Sequence, residues 1–274
     1  MPFLFVVLYS LLTGFFDVLP VSSFAHQSVV QHVFGVTESL HLLKFLVHLA
    51  SLAAIIFVSM PSISALLREQ KMQSLPRRRI QADRKVTYEL RFVKIVILAA
   101  AISTVLMRYI VNQFPTFLIL GILCVVNGIL VLVPEYLPYG NKTAKHMNRL
   151  DSIAFGFLGG MGLIPGISHI AAMQCYANLR GVDKSRSANW ALLATIPVLA
   201  VLILFDLAGM FTAGVGTVSF LTFLFFIFGA ALSFLGTVGG VTILRFLSAK
   251  VGFVGFGYYS IGAGLLVFFL YLTV

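Results

Sequence analysis

Six stretches of this chain stay apolar for roughly the 20 residues that a helix needs to cross a bilayer. They are His41–Met60, Phe92–Val111, Thr116–Pro134, Ala188–Ala208, Val218–Gly240 and Phe253–Phe269. Two further apolar stretches are interrupted: Phe3–Gln31 by DVLPVSSFAH, and Ser152–Leu179 by GGMGLIPGISH. Polar, proline-containing backbone at membrane depth is tolerated only where protein or a water-filled cavity surrounds it. These two interruptions are therefore where chemistry is expected.

The polar stretches between the spans set the orientation. Pro61–Arg91 holds Arg68, Lys71, Arg77, Arg78, Arg79, Arg84, Lys85 and Arg91 against Glu69, Asp83 and Glu89, which places this loop in the cytoplasm. Alternation then puts Asn112–Pro115 outside, Glu135–Asp151 (with Lys142, Lys145 and Arg149) inside, Gly209–Thr217 outside, and the loop with Arg245 and Lys250 inside. Arg180, Lys184 and Arg186 place the segment after Leu179 inside as well. Ser152–Leu179 thus begins and ends in the cytoplasm and dips into the membrane without crossing it. By the same count Phe3–Gln31 dips in from outside.

Each half of the chain is then one dip plus three spans. Three is odd, so the second half is inverted relative to the first, a plan shared by many transporters. The predicted fold is an all-α polytopic membrane protein, one integral membrane domain over 1–274. It has two inverted repeats, 1–134 and 135–274, each a re-entrant helix pair plus three transmembrane helices. LPVSSFAH at 19–26 and IPGISHIA at 164–171 form a weak internal echo of that repeat.

Composition agrees. Hydrophobic residues make up 59% of the chain and charged residues 10%, against about 25% charged in a soluble domain. The net charge of +10 lies in loops between apolar spans, which argues for a membrane and against nucleic acid as the partner. Cys124 and Cys175 both fall in apolar stretches and read as buried thiols, with no disulfide framework or metal-ligand spacing. The first residues, MPFLFVVLYSLLTG, have no basic n-region and no small-residue cleavage site, so they are expected to belong to the mature protein.

Both interruptions carry proline followed by hydroxyls: Ser22 and Ser23 in PVSS, and Ser168 after the flexible Gly166 in PGIS. Proline breaks the helical ladder, and the N-terminus of the half-helix beyond it offers N–H groups to an anion. Asp17 and His26 on one tip and His169 on the other add titratable groups. Two facing tips of this kind could hold a phosphate group, with the alkyl part of its ligand in the bilayer. The plainer reading of each serine is a hydrogen bond to a neighbouring helix. A carboxylate at the depth of Asp17 is costly enough to be functional by default. His48 reads as a packed, satisfied histidine, Asp206 as reaching the interface and Arg108 as snorkelling outward; Glu38 and His41 carry no assigned role.

These residues resemble the undecaprenyl-pyrophosphate phosphatase family of bacteria, the bacitracin-resistance type, nearly end to end. GFFDVLPVSSFAH is similar to the family's first motif, a glycine and an acid ahead of L-P-V-S-S-x-x-H. FLVHLASLAAIIF looks like the helix that follows, and PGISH stands where the family has P-G-x-S-R. GVDKSRSANWALLATIPVLAVLILFDL is similar to the next stretch. The resemblance implies a multi-pass protein of the bacterial inner membrane. Its site lies between two re-entrant tips, faces the outer side and uses a divalent metal (Mg or Ca). The implied reaction converts a polyprenyl (undecaprenyl) diphosphate to the monophosphate, recycling the lipid carrier of cell-wall synthesis. Asp17, Ser23, His26 and His169 would be catalytic, with Asp17 also the metal ligand, and Ser22, Gly166 and Ser168 would bind substrate. The expected partners are the polyprenyl diphosphate and the bilayer; a homodimer is left open.

The chain departs from the family pattern at Thr13 and Asp17, where the family carries two glutamates. It departs again at His169 (arginine), Ile170 (serine), Met173 (threonine) and Ser260 (arginine, after Tyr259). An arginine grips phosphate through a permanently charged fork that histidine lacks. The departures therefore set a second expectation beside the first, a catalytically weakened paralogue that binds polyprenyl phosphate or flips it across the membrane.

Overall fold

The computed structural model of the chain describes residues 2–36, 40–73, 84–111, 117–138, 140–214 and 218–273. Glu38, the basic residues Arg77, Arg78 and Arg79 with Asp83, and the expected outer turn at 112–115 lie outside the described residues, as do 215–217 of the second outer loop. The described chain forms α1 (Phe3–Phe16), α2 (Ser23–Val33), α3 (His41–Gln73), α4 (Arg84–Val111), α5 (Phe117–Leu132), α6 (Arg149–Gly160), α7 (His169–Leu179), α8 (Lys184–Thr212), α9 (Phe220–Lys250) and α10 (Val254–Thr273). Five helices, α3, α4, α5, α8 and α9, are long and apolar enough to cross a membrane, and α10 is an apolar helix packed along α5. The architecture is all-α and polytopic, as the hydropathy pattern predicts.

The two interrupted stretches fold as helix hairpins, α1–α2 and α6–α7. None of their helices exceeds 14 residues, and at 1.5 Å per residue none spans a 30 Å hydrocarbon core. Each hairpin returns to the end where it starts. In the first, Phe5 near the start of α1 meets Phe34 at the end of α2, ring centroids 5.8 Å apart. In the second, Asp151 in the first turn of α6 holds Arg180 at the end of α7, Nε to Oδ1 2.9 Å.

The hairpin bases lie at opposite ends of the bundle. Phe34 packs in a cluster with Leu40 and Leu43 at the start of α3. The α6–α7 base leads directly into the start of α8, and α8 runs antiparallel to α3, its Asp206 bonded to His48. Lys184 at that far end closes on Glu135 after α5, 2.7 Å apart and buried.

Small residues allow the helices to approach this closely. A β-carbon at Gly14 of α1 would collide with the Ser233 carbonyl of α9. Ser233 and Thr237 of α9 also join a buried polar ladder: Thr237 donates to the Gly14 carbonyl at 3.0 Å, and the Ser51 hydroxyl of α3 lies 2.9 Å from that of Ser233. Without a hydrophobic drive between helices in lipid, such small-residue packing and interhelical hydrogen bonds hold a bundle together.

Candidate functional site

The tips of the two hairpins meet inside the bundle. Ser22 and Ser168 are the N-caps of α2 and α7. The caps therefore pair Ser22 with Ser168, one residue out of step with the sequence echo, which sets Ser23 against Ser168. Ser22 Oγ accepts the Ala25 N–H of its own helix at 3.3 Å and the Gly166 N–H of the other tip at 3.1 Å. Ser168 Oγ donates to the Leu19 carbonyl of the first tip at 2.8 Å. Gly166 sits at φ +92°, a conformation open to glycine, and a side chain there would strike α5.

Asn127 of α5, fully buried, completes the brace. Its Oδ1 accepts the Ser168 N–H at 2.8 Å, and its Nδ2 donates to the Pro20 carbonyl at 3.1 Å and to Ser260 Oγ at 3.2 Å. Ser22, Gly166 and Ser168 thus fix one tip on the other. None of the three lines the polar cavity beside the tips.

That cavity, of about 130 Å³, is bounded by Asp17, Ser23 and Gln27 of the first hairpin and by Gly162 and His169 of the second. Helix α3 adds His41, Lys44 and His48, α4 adds Arg108, and α8 adds Asp206 among Val198, Leu199, Leu202 and Phe205. It lies where α3 begins and α4 and α8 end, away from the basic segment at 180–186. Asp17 terminates α1 and is only 6% exposed, and its Oδ2 has no hydrogen-bond partner in the protein. Ser23 shares the cavity wall with it. His169 is anchored through Nε2 to Thr195 Oγ1 at 2.9 Å. The Thr195 hydroxyl lies 2.9 Å from the Ala191 carbonyl, which takes its proton. His169 Nε2 therefore carries the donated hydrogen, and Nδ1 is the nitrogen left for a ligand.

Several residues take other places than the sequence suggests. His26 is not at this cavity. Its Nδ1 lies 2.8 Å from the Ser22 carbonyl, its Nε2 2.7 Å from the Tyr259 hydroxyl, and its ring stacks on Phe16. It borders a mostly apolar groove of about 210 Å³ shared with Ser22, Gly166, Cys124 and α10. His48 is buried and satisfied, as the sequence suggests, but its partner is Asp206, which is itself buried and does not reach the interface: Nδ1 and Oδ2 lie 2.7 Å apart on the cavity wall. Arg108 turns inward, its guanidinium 5.7 Å over the Phe205 ring. Thr13, one turn before Asp17, spends its hydroxyl on its own helix: it donates to the Tyr9 carbonyl at 2.6 Å. Cys124 and Cys175 are free and buried, as expected.

The donor set limits any metal. Among the described residues no three His, Cys, Asp or Glu side chains come together as ligands. The unpartnered oxygen of Asp17 fits the smaller demand of magnesium, which takes one or two carboxylates and completes its shell with water and substrate phosphate.

The match to a family model decides the lineage: residues 6–266 match the model for bacitracin resistance protein BacA. The chain belongs to the BacA family. It is 28% identical over 268 residues to the undecaprenyl-diphosphatase of Alkaliphilus metalliredigens, covering 95% of this chain and 96% of that protein. It is 27% identical to undecaprenyl-diphosphatase 1 of Shouchella clausii, over 73% of this chain and 72% of that protein. With the undecaprenyl-diphosphatase of Methanococcus vannielii the identity is 25%, over 96% of this chain and 98% of that protein. In this BacA-family chain the polar cavity holds Asp17, Ser23 and His169 together, and charged residues from α3, α4 and α8 surround them.

Proposed function

We propose that this protein hydrolyses undecaprenyl diphosphate to the monophosphate, with the terminal phosphate bound in the cavity beside the two hairpin tips. The observation that carries this is Asp17, buried with its Oδ2 unpartnered, on the wall of a cavity shared with Ser23 and His169, in a chain whose relatives carry the name undecaprenyl-diphosphatase. A carboxylate with a free oxygen can accept a proton from an attacking water or from the Ser23 hydroxyl beside it. The nucleophile adds to the terminal phosphorus and the bridging P–O bond breaks, with the electron pair leaving on the lipid monophosphate; attack by water frees phosphate at once, whereas attack by Ser23 leaves a phosphoserine that a second, water-driven displacement hydrolyses. His169, fixed by Thr195 through its Nε2–H, keeps a lone pair on Nδ1 that accepts a hydrogen bond from the attacking water or from a protonated phosphate oxygen. Phosphoryl transfer needs little beyond such positioning and charge stabilisation. Asp17 is also the residue that would hold a magnesium ion, which when bound neutralises phosphate charge.

The placement of the site follows the same reading. The cavity lies away from the basic segment at 180–186, and the positive-inside rule turns that segment to the cytoplasm. The cavity then faces the outer side of the bacterial inner membrane, where the lipid's alkyl chain remains in the bilayer. The two hairpins, entering from opposite ends, support an inverted repeat of halves 1–134 and 135–274.

The test is phosphate release from undecaprenyl diphosphate by the purified protein, with and without magnesium, beside Asp17→Asn, Ser23→Ala and His169→Ala. Asp17→Asn keeps the shape and removes the base, and a loss of about 100-fold or more in kcat is expected. Release by the wild type no faster than by Asp17→Asn would remove the hydrolase reading.

A further inference from the structure

A diphosphate bound beside a buried carboxylate meets repulsion, and the hairpin tips supply little to offset it. The positions at which the family pattern leads one to expect arginine hold His169, at the second tip, and Ser260, in α10 and buried on Asn127. Positive charge enters the cavity instead from the long helices. Lys44 stands one turn after His41 and one turn before His48 on the same face of α3, and Arg108 comes from the last turn of α4. The second carboxylate in the cavity, Asp206, is already matched by His48 at 2.7 Å. The Arg108 guanidinium lies 5.7 Å from the Phe205 ring centroid, which keeps its charge on the cavity wall.

We propose that Lys44 and Arg108 form the diphosphate-binding wall of this cavity, taking the phosphate oxygens on the side opposite Asp17. The inference rests on the phosphatase reading of the cavity and adds to it. The charge that holds the substrate is carried by α3 and α4 and not by the re-entrant tips. A lysine contributes a point charge and an arginine a fork, so the two are not interchangeable.

The full-length protein in detergent is assayed for phosphate release and, separately, for equilibrium binding of radiolabelled undecaprenyl diphosphate and of inorganic pyrophosphate. The variants are Lys44→Gln, Arg108→Gln, Arg108→Lys and the double Gln variant, each checked for a single size-exclusion peak and an unshifted melting temperature. Each Gln variant is expected to raise KM and Kd about 10- to 100-fold with kcat changed only a few-fold, the signature of lost uniform binding. Arg108→Lys should recover part of that loss, and the double variant should bind neither ligand. Recognition of the phosphates alone makes pyrophosphate compete with the lipid in the wild type and lose that competition in the variants. Wild-type KM and Kd in the Gln variants would overturn the wall while leaving the phosphatase standing. Binding that depends on Lys44 and Arg108 in a protein that releases no phosphate would overturn the phosphatase and leave the wall standing. Absence of both binding and release in the wild type would remove both.

Discussion

Asn127 is one polar side chain in the otherwise apolar run FLILGILCVVNGILVL, and it holds more of the site together than any residue that faces the cavity. Asn127→Leu keeps the bulk but leaves the Ser168 N–H and the Pro20 carbonyl without partners. Orphaned buried groups cost about 1–3 kcal/mol each, so the variant should lose roughly 2–6 kcal/mol and melt several degrees lower in detergent. Its kcat should fall too, because the tips drift relative to each other; an unchanged melting curve would show that the brace is redundant. Asp17, Ser23 and His169 were legible in the sequence because polar groups interrupting a membrane stretch stand out. His48 and Asp206 were not, since partners 158 residues apart become a pair only in the fold. The polar residues of the first tip looked like one site. Helical spacing divides them: Ser23 and Gln27, four apart, share the cavity face of α2, while Ser22 and His26 share the other.

The hairpins are the elements that make the site, and each must be closed at its base for its tip to hold position. In α6–α7 that closure is Asp151. Burial pushes its carboxyl up, but the Asn148 N–H at 2.9 Å, the Tyr176 hydroxyl at 2.8 Å and the Arg180 guanidinium outweigh burial and hold it below the usual carboxylate range. A depressed folded-state pKa adds stability that is present above the ordinary Asp value of about 3.9 and is lost as pH falls through the lower folded value. Acid melts of wild type and Asp151→Asn should therefore differ at neutral pH and converge as pH drops below about 4. A constant gap across that range would show that the clasp acts through packing and not through charge. The dip-and-return of both hairpins was readable from loop charges alone. Loop charges say which end a segment reaches but nothing of which residues touch, so the cap pairing of Ser22 with Ser168 needed the fold.

At the scale of the whole molecule the question is which way the cavity opens. One end of the bundle carries Lys145 and Arg180 in its connecting segments and Arg149, Lys184 and Arg186 in the first turns of α6 and α8. At the other end, the described residues just beyond α8, Ala213 and Gly214, are uncharged and exposed. Lys44 and Arg108 lie at that second end too, but inside the cavity, so they count as ligands and not as topology signals. A chain inserted by its loop charges places Lys145 in the cytoplasm and Ala213 outside. The two native cysteines are buried, so single introduced cysteines report cleanly. Ala213→Cys should react with a membrane-impermeant maleimide on intact cells. Lys145→Cys, equally exposed in the fold, should react only after the membrane is permeabilised. The reverse pattern would open the cavity to the cytoplasm, and a phosphatase working there would draw its diphosphate from the inner leaflet.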